Sequence, residues 1–147
     1  MDRSRIYQAV GEASHIAQVL EVSISGLIAI TNQEWGAEID ESAIVIADDR
    51  KTLGRLFDEL KKRVTICENT VRALSDALDA RNWIAHHFFV RNTAAFEDES
   101  AFELALSEIN KRTKKIAIAT VVVDGISRGL CKALALNRTR ILVREDG

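Results

Sequence analysis

Proline is absent from this 147-residue chain. Proline interrupts helix interiors, so its absence leaves long helices open, though periodicity has to decide. Cysteine is scarce: Cys67 and Cys131 are the two present. They have no metal-ligand spacing, and they read as reduced core residues, with a disulfide as the alternative. Charge of one sign is lacking, because 20 Lys and Arg face 22 Asp and Glu for a net charge of −2. A strongly basic coat is thereby excluded, and any polyanion binding must be local. There is no Gly-rich phosphate loop, no Cys–His zinc spacing and no G-x-S-x-G elbow. No repeat and no low-complexity linker interrupts the chain.

Long uncharged runs are also missing. Charges at positions 2, 3, 5, 12 and 21 break any signal-peptide core. The run IAIATVVV at 116–123 is far short of the roughly 20 residues that a spanning helix needs. A cytoplasmic protein with no membrane partner is expected.

What is present fits one domain, residues 1–147, with a real hydrophobic core: 47% of residues are apolar and 29% charged. Ile6, Val10, Ala13, Ala17, Leu20, Ile24 and Leu27 alternate four- and three-residue steps. That marks one stripe of a long first helix, with Ser4 as its N-cap. Residues 32–50 lose the pattern and read as a loop around Gly36, in which AIVIA is ambiguous. Leu53, Leu56 or Phe57, Leu60 and Val64 give a short second helix, with Asp58 and Lys62 as an i,i+4 pair. A third helix runs through Cys67, Val71, Leu74, Leu78, Arg81, Ala85 and Phe88. Residues 91–99 form a polar connection. A long last helix extends from about Glu99 to Ala135, and its flanks favour helix over strand for IAIATVVV. Gly125 and Gly129 give it a small-xxx-small step. The tail after it is ordered only by a neighbour. The fold class is all-α, a bundle of four or five helices with long N- and C-terminal ones.

One stretch, ALDARNWIAHHFFVRN at 77–92, breaks the binary pattern. Arg81 falls in register with the apolar seam, and burying a guanidinium costs several kcal/mol unless it is paired. It pairs with a carboxylate such as Asp58 or Glu68, snorkels past the helix end, or faces a cleft that takes an anion. Asn82 and His86 are i,i+4 neighbours, within reach of a hydrogen bond that would orient the imidazole. Arg81 and His86 lie about 140° apart on an ideal helix. They converge if the helix loosens near its end, or if a two-fold axis brings in a second copy. The bland readings are a structural ion pair for Arg81, helix-end histidines favoured by the dipole, and a solvated face for the basic run NKRTKK. Trp35 and Trp83 read as packing anchors, and Phe88 and Phe89 as core or dimer interface.

R-N-W-I-A-H at 81–86 resembles the R-x4-6-H signature of the HEPN (higher eukaryotes and prokaryotes nucleotide-binding) domains. The form is the common one in which a polar residue follows the arginine. The setting, late on a helix of a small all-α bundle and followed by a long helix, is similar over nearly the whole chain. The resemblance implies a HEPN-like, dimeric, metal-independent endoribonuclease, of toxin type, with the two motifs meeting at the dimer interface. It needs no cofactor and no metal. Arg81 would hold the scissile phosphate, His86 would transfer protons, and Asn82 would orient His86 or bind a phosphate oxygen. His87 would share the role or line the site. The best candidates for RNA binding are Lys111, Arg112, Lys114 and Lys115, or the C-terminal Arg138, Arg140 and Arg144. An antitoxin or regulatory protein is the implied partner. The alternative is a non-catalytic helical dimer that regulates or binds a protein, with Arg81 and His86 holding the interface.

Overall fold

The computed structural model describes residues 2–31 and 52–145, with side chains described as far as residue 135. Among them there is no strand. The elements are α1 (Ser4–Thr31), α2 (Leu53–Arg63), α3 (Glu68–His86), α4 (Phe88–Arg91), a 3-10 turn (Thr93–Phe96) and α5 (Glu99–Glu145). This is the all-α helical bundle with long first and last helices that the periodicity predicts. Trp35 and the run AIVIA lie outside the described residues.

The helix ends follow local chemistry. The Asp2 carboxylate accepts the Ser4 amide at 3.0 Å, so Asp2, and not Ser4, caps α1. The Asp98 carboxylate does the same for α5, accepting the Ala101 amide at 2.7 Å. α2 closes on Lys61, Lys62 and Arg63, whose charge complements the carbonyl end of the helix. Asp58 pairs with Lys61 at 2.9 Å, one residue earlier than the predicted Lys62. IAIATVVV is helical, and the backbone of α5 runs ten residues past the expected end at Ala135.

The chain gathers into two compact units. The first comprises Met1–Leu20 and Cys67–Thr120, the second Glu21–Ile66 and Val121–Gly147. Both long helices contribute to each. In the first unit α1 buries Ile6, Ala9, Ala13, Ala17 and Leu20, and α3 buries Leu74, Ala77, Ala80 and Ile84. Phe88, Ala95, Phe102, Ala105, Ile109, Ile116 and Ala119 complete that core. Alanine recurs on all three long faces, and small side chains are what allow helix axes to approach closely. Polar contacts tie the same elements together. Arg5 pairs with Glu103 at 3.1 Å and lies 5.4 Å over the Phe102 ring. Lys115 reaches Asp76 at 3.9 Å.

In the second unit Ile24 to Ile28 are buried in an unbroken run. This part of α1 is covered all round, where the stripe of larger residues predicts one buried face. α2 adds Leu53, Leu56, Phe57 and Leu60, and α5 adds Val123 and Leu134. Each fully buried Leu, Ile or Phe contributes about 1.5–3 kcal/mol. Within this unit a β-carbon added at Gly125 or Gly129 would meet no described atom within 4 Å. The small-xxx-small step is thus open rather than packed. Gly125→Ala and Gly129→Ala are each expected to raise stability by about 0.5–1 kcal/mol, because alanine is the better helix former. A higher Tm by circular dichroism checks this; a lower one would mean that another helix occupies the step in solution.

The cysteine expectation is corrected. Both thiols are free, Cys67 is exposed and Cys131 half-buried. Cys67 is the N-cap of α3, outside the helix and outside the core. The Thr70 hydroxyl stands 3.2 Å from its sulfur, and with the Thr70 amide holds the thiol below its usual range. Cys67 should react with iodoacetamide several-fold faster than Cys131 at neutral pH, and Thr70→Val should slow it. Mass spectrometry of the labelled peptides reads both rates.

One described helix, α1, is long and apolar enough to cross a membrane, with a window of mean hydropathy 1.5. The apolar window lies here and not in the run at 116–123. Length and composition alone do not separate a spanning helix from a core helix, and 44% of that window is buried inside the protein.

Candidate functional site

The motif occupies the last turns of α3. The buried arc of this helix passes through Thr70, Leu74, Ala77, Ala80 and Ile84. Of the predicted seam, Leu74 and Phe88 are buried, Val71, Leu78 and Arg81 are half-buried, and Cys67 and Ala85 are exposed. The seam is therefore rotated. A strict 3.5-residue step drifts by about 20° per heptad against a real helix, and the large residues at 71 and 78 drew the prediction to the flank.

Arg81 keeps an inward position but is half-buried, not enclosed. Its Nη1 donates to Asn82 Oδ1 at 3.1 Å. Asn82 lies about 100° further round the helix, so the guanidinium leans toward the edge of α3.

The expected Asn82–His86 hydrogen bond is not formed; the Asn82 carbonyl accepts from Arg81. Among the described residues His86 has no side-chain hydrogen bond. It is exposed and is the last residue of α3. Regular helix continues through it, so Arg81 and His86 stay about 140° apart. One chain does not converge them. The exposed His87 is the C-cap, with φ −120° and ψ −23°, and its amide still donates to the Trp83 carbonyl. The chain then resumes as α4. Asn92, which the sequence did not single out, ends that turn: its Nδ2 donates to the Phe88 carbonyl at 2.9 Å.

The basic candidates divide. Lys111 and Lys114 are exposed. Arg112 is half-buried, bound to Glu108 at 2.7 Å and placed 4.0 Å over the Trp83 ring. Lys115 is drawn to Asp76. Arg112 and Lys115 each have an acidic partner, whereas Lys111 and Lys114 have none among the described residues. An arginine at an i,i+4 spacing from a glutamate was the legible signal for Arg112. The side chains of Arg138, Arg140 and Arg144 lie outside the described part.

Aromatic residues gather beside the histidines. Trp83 meets Phe88 edge-on at 5.7 Å, and Phe88 meets Phe89 at 5.0 Å. Phe88 is core, while Phe89 is 42% exposed. Phe89 also neighbours Tyr7 of α1 and Phe96 of the 3-10 turn. Tyr7 escaped the sequence reading because it sits just off the α1 stripe, beside Ile6.

Comparison with protein-family models, with curated proteins and with solved structures gives no match.

Proposed function

We propose that this chain is a HEPN-like, metal-independent endoribonuclease of toxin type, working in the cytoplasm as a homodimer with a composite site. The observation that carries the reading is the placement of the motif. An arginine–asparagine pair and two exposed histidines occupy the last turns of one helix in an all-α bundle. The 140° offset supports the dimer: Arg81 of one copy would face His86 of the other across a two-fold axis. His86 or His87 takes the proton of the attacking 2′-hydroxyl as its oxygen bonds to phosphorus. The phosphorus–O5′ bond breaks, and a second imidazole protonates the leaving oxygen. Arg81 offsets the charge that builds on the phosphoryl oxygens. The products are a 2′,3′-cyclic phosphate and a 5′-hydroxyl. Lys111 and Lys114 are the open basic residues for RNA. An antitoxin or regulatory protein would cover the site.

A second reading has its own observation. Arg81 spends a hydrogen bond on Asn82, as a residue shaping a helix edge would. On that reading the chain is a non-catalytic helical dimer that binds a regulatory partner. Purified protein is incubated with mixed RNA in EDTA, beside Arg81→Ala and His86→Ala. Cleavage by the wild type, reduced by about 10²-fold or more in each variant, is the expected result. Equal and intact RNA with all three proteins folded would reject the ribonuclease.

A further inference from the structure

Tyr7, Phe89 and Phe96 come from three separate elements and form a triangle. Their ring centroids are 6.1, 5.9 and 6.2 Å apart, and their planes differ by only 31°, 36° and 23°. Phe89 and Phe96 are stacked, and Tyr7 is tilted against both. Tyr7 is 58% and Phe89 42% exposed, and Val90 beside it 77%. Phe96 is half-buried, so the open part of the triangle belongs to Tyr7 and Phe89.

Positive charge lies at its rim. Arg3 Nη2 donates to the Phe96 backbone carbonyl at 2.6 Å, which places a guanidinium beside the Phe96 main chain. No carboxylate pairs with it among the described residues. Arg91, two residues after Phe89, is exposed, as are His86 and His87 just before it. Negative charge lies close by as well: Asp2 and Asp98 accept helix-capping bonds, and the exposed Glu97 and Glu99 flank Asp98. A dry protein interface fits the patch less well. Tyr7, Phe89 and Val90 are three side chains, and aromatics bury about 150–250 Å² each. A stable dimer needs about 800 Å² from each partner.

We propose that Tyr7, Phe89 and Phe96 form a stacking platform for the unpaired bases of single-stranded RNA, with Arg3 and Arg91 meeting its phosphates. Bases offer flat faces of any sequence, and exposed rings flanked by cations are what a single strand needs. The inference rests on the RNA reading of the neighbouring motif and deepens it. The strand would stack beside His86 and His87, so unpaired RNA is selected over duplex.

Tyr7 is the sole tyrosine, so protein carrying 3-fluorotyrosine gives one fluorine resonance. It is titrated with an oligouridylate of about eight nucleotides, 2′-O-methylated so that it cannot be cleaved, and with an RNA duplex. The resonance should shift with the single strand and not with the duplex. Tyr7→Ala and Phe89→Ala should each weaken strand binding by about tenfold. Phe89→Trp should restore it, and light scattering should show the same oligomeric state throughout. Absence of strand binding by the wild type, equal response to duplex, unchanged affinity in the two alanine variants, or a changed oligomeric state would overturn the platform. Arg81→Ala and His86→Ala should keep strand binding while losing cleavage of unmodified RNA. Ring-dependent binding without any wild-type cleavage would sink the ribonuclease and leave the platform standing. Cleavage that is indifferent to the rings would do the reverse.

Discussion

Phe88→Ala should cost about 3–5 kcal/mol of stability, the usual loss for emptying a buried phenylalanine site. Phe88 is 0% exposed. It sits directly after the helix break at His87, with the Trp83 and Phe89 rings against it. Total stability of a domain this size is about 5–15 kcal/mol, so one substitution removes about a fifth or more. Urea unfolding followed by circular dichroism reads the change as a lower midpoint. Val90→Ala, two residues on and 77% exposed, should stay within about 0.5 kcal/mol of wild type. If the two variants unfold alike, the burial assigned to Phe88 is wrong. The contrast also guards the functional tests. Lost cleavage in Phe88→Ala would report unfolding, whereas lost cleavage in His86→Ala, at an exposed position, would report chemistry.

Mixing two inactive variants should restore activity. If each site takes Arg81 from one subunit and His86 from the other, Arg81→Ala paired with His86→Ala leaves one intact site per mixed dimer. Half of the dimers in an equal, fully exchanged mixture are mixed, so about one quarter of the wild-type rate returns. Each variant alone should lie about 10²-fold or more below wild type. A site contained in one subunit gives no recovery at any ratio, because no subunit then holds both groups. The regular helix from Arg81 to His86 makes this outcome specific, since nothing bends the two side chains together within a chain.

The sequence carried the fold further than the site. Periodicity carried the third helix to Phe88, two residues past the end of α3 at His86, and placed the start of α5 at Glu99, because that signal is local. The rotation of the α3 seam was hidden because Ala77 and Ala80 do the burying, and alanine is a weak marker in a search for large apolar residues. Arg81 is in an inward register, but it is half-buried and one of its nitrogens donates to Asn82. Arg112 looked like a free cation until Trp83 and Glu108 were placed beside it. The aromatic triangle joins positions 7, 89 and 96, and no local pattern connects residues so far apart.

The alanines that line the first unit have a consequence for heredity. At Ala9, Ala13, Ala17, Ala77, Ala80, Ala105 and Ala119 the buried faces leave room for a methyl group. Enlarging such a position typically costs about 1–3 kcal/mol through overpacking. Selection would therefore hold these sites small over long descent, while half-buried Val10, Ile16 and Leu78 drift among apolar types. Lineages diverging from a common ancestor would keep the gaps between the large residues better than the large residues themselves. A search for kin weighted toward those small positions would reach further than one that follows leucine and isoleucine.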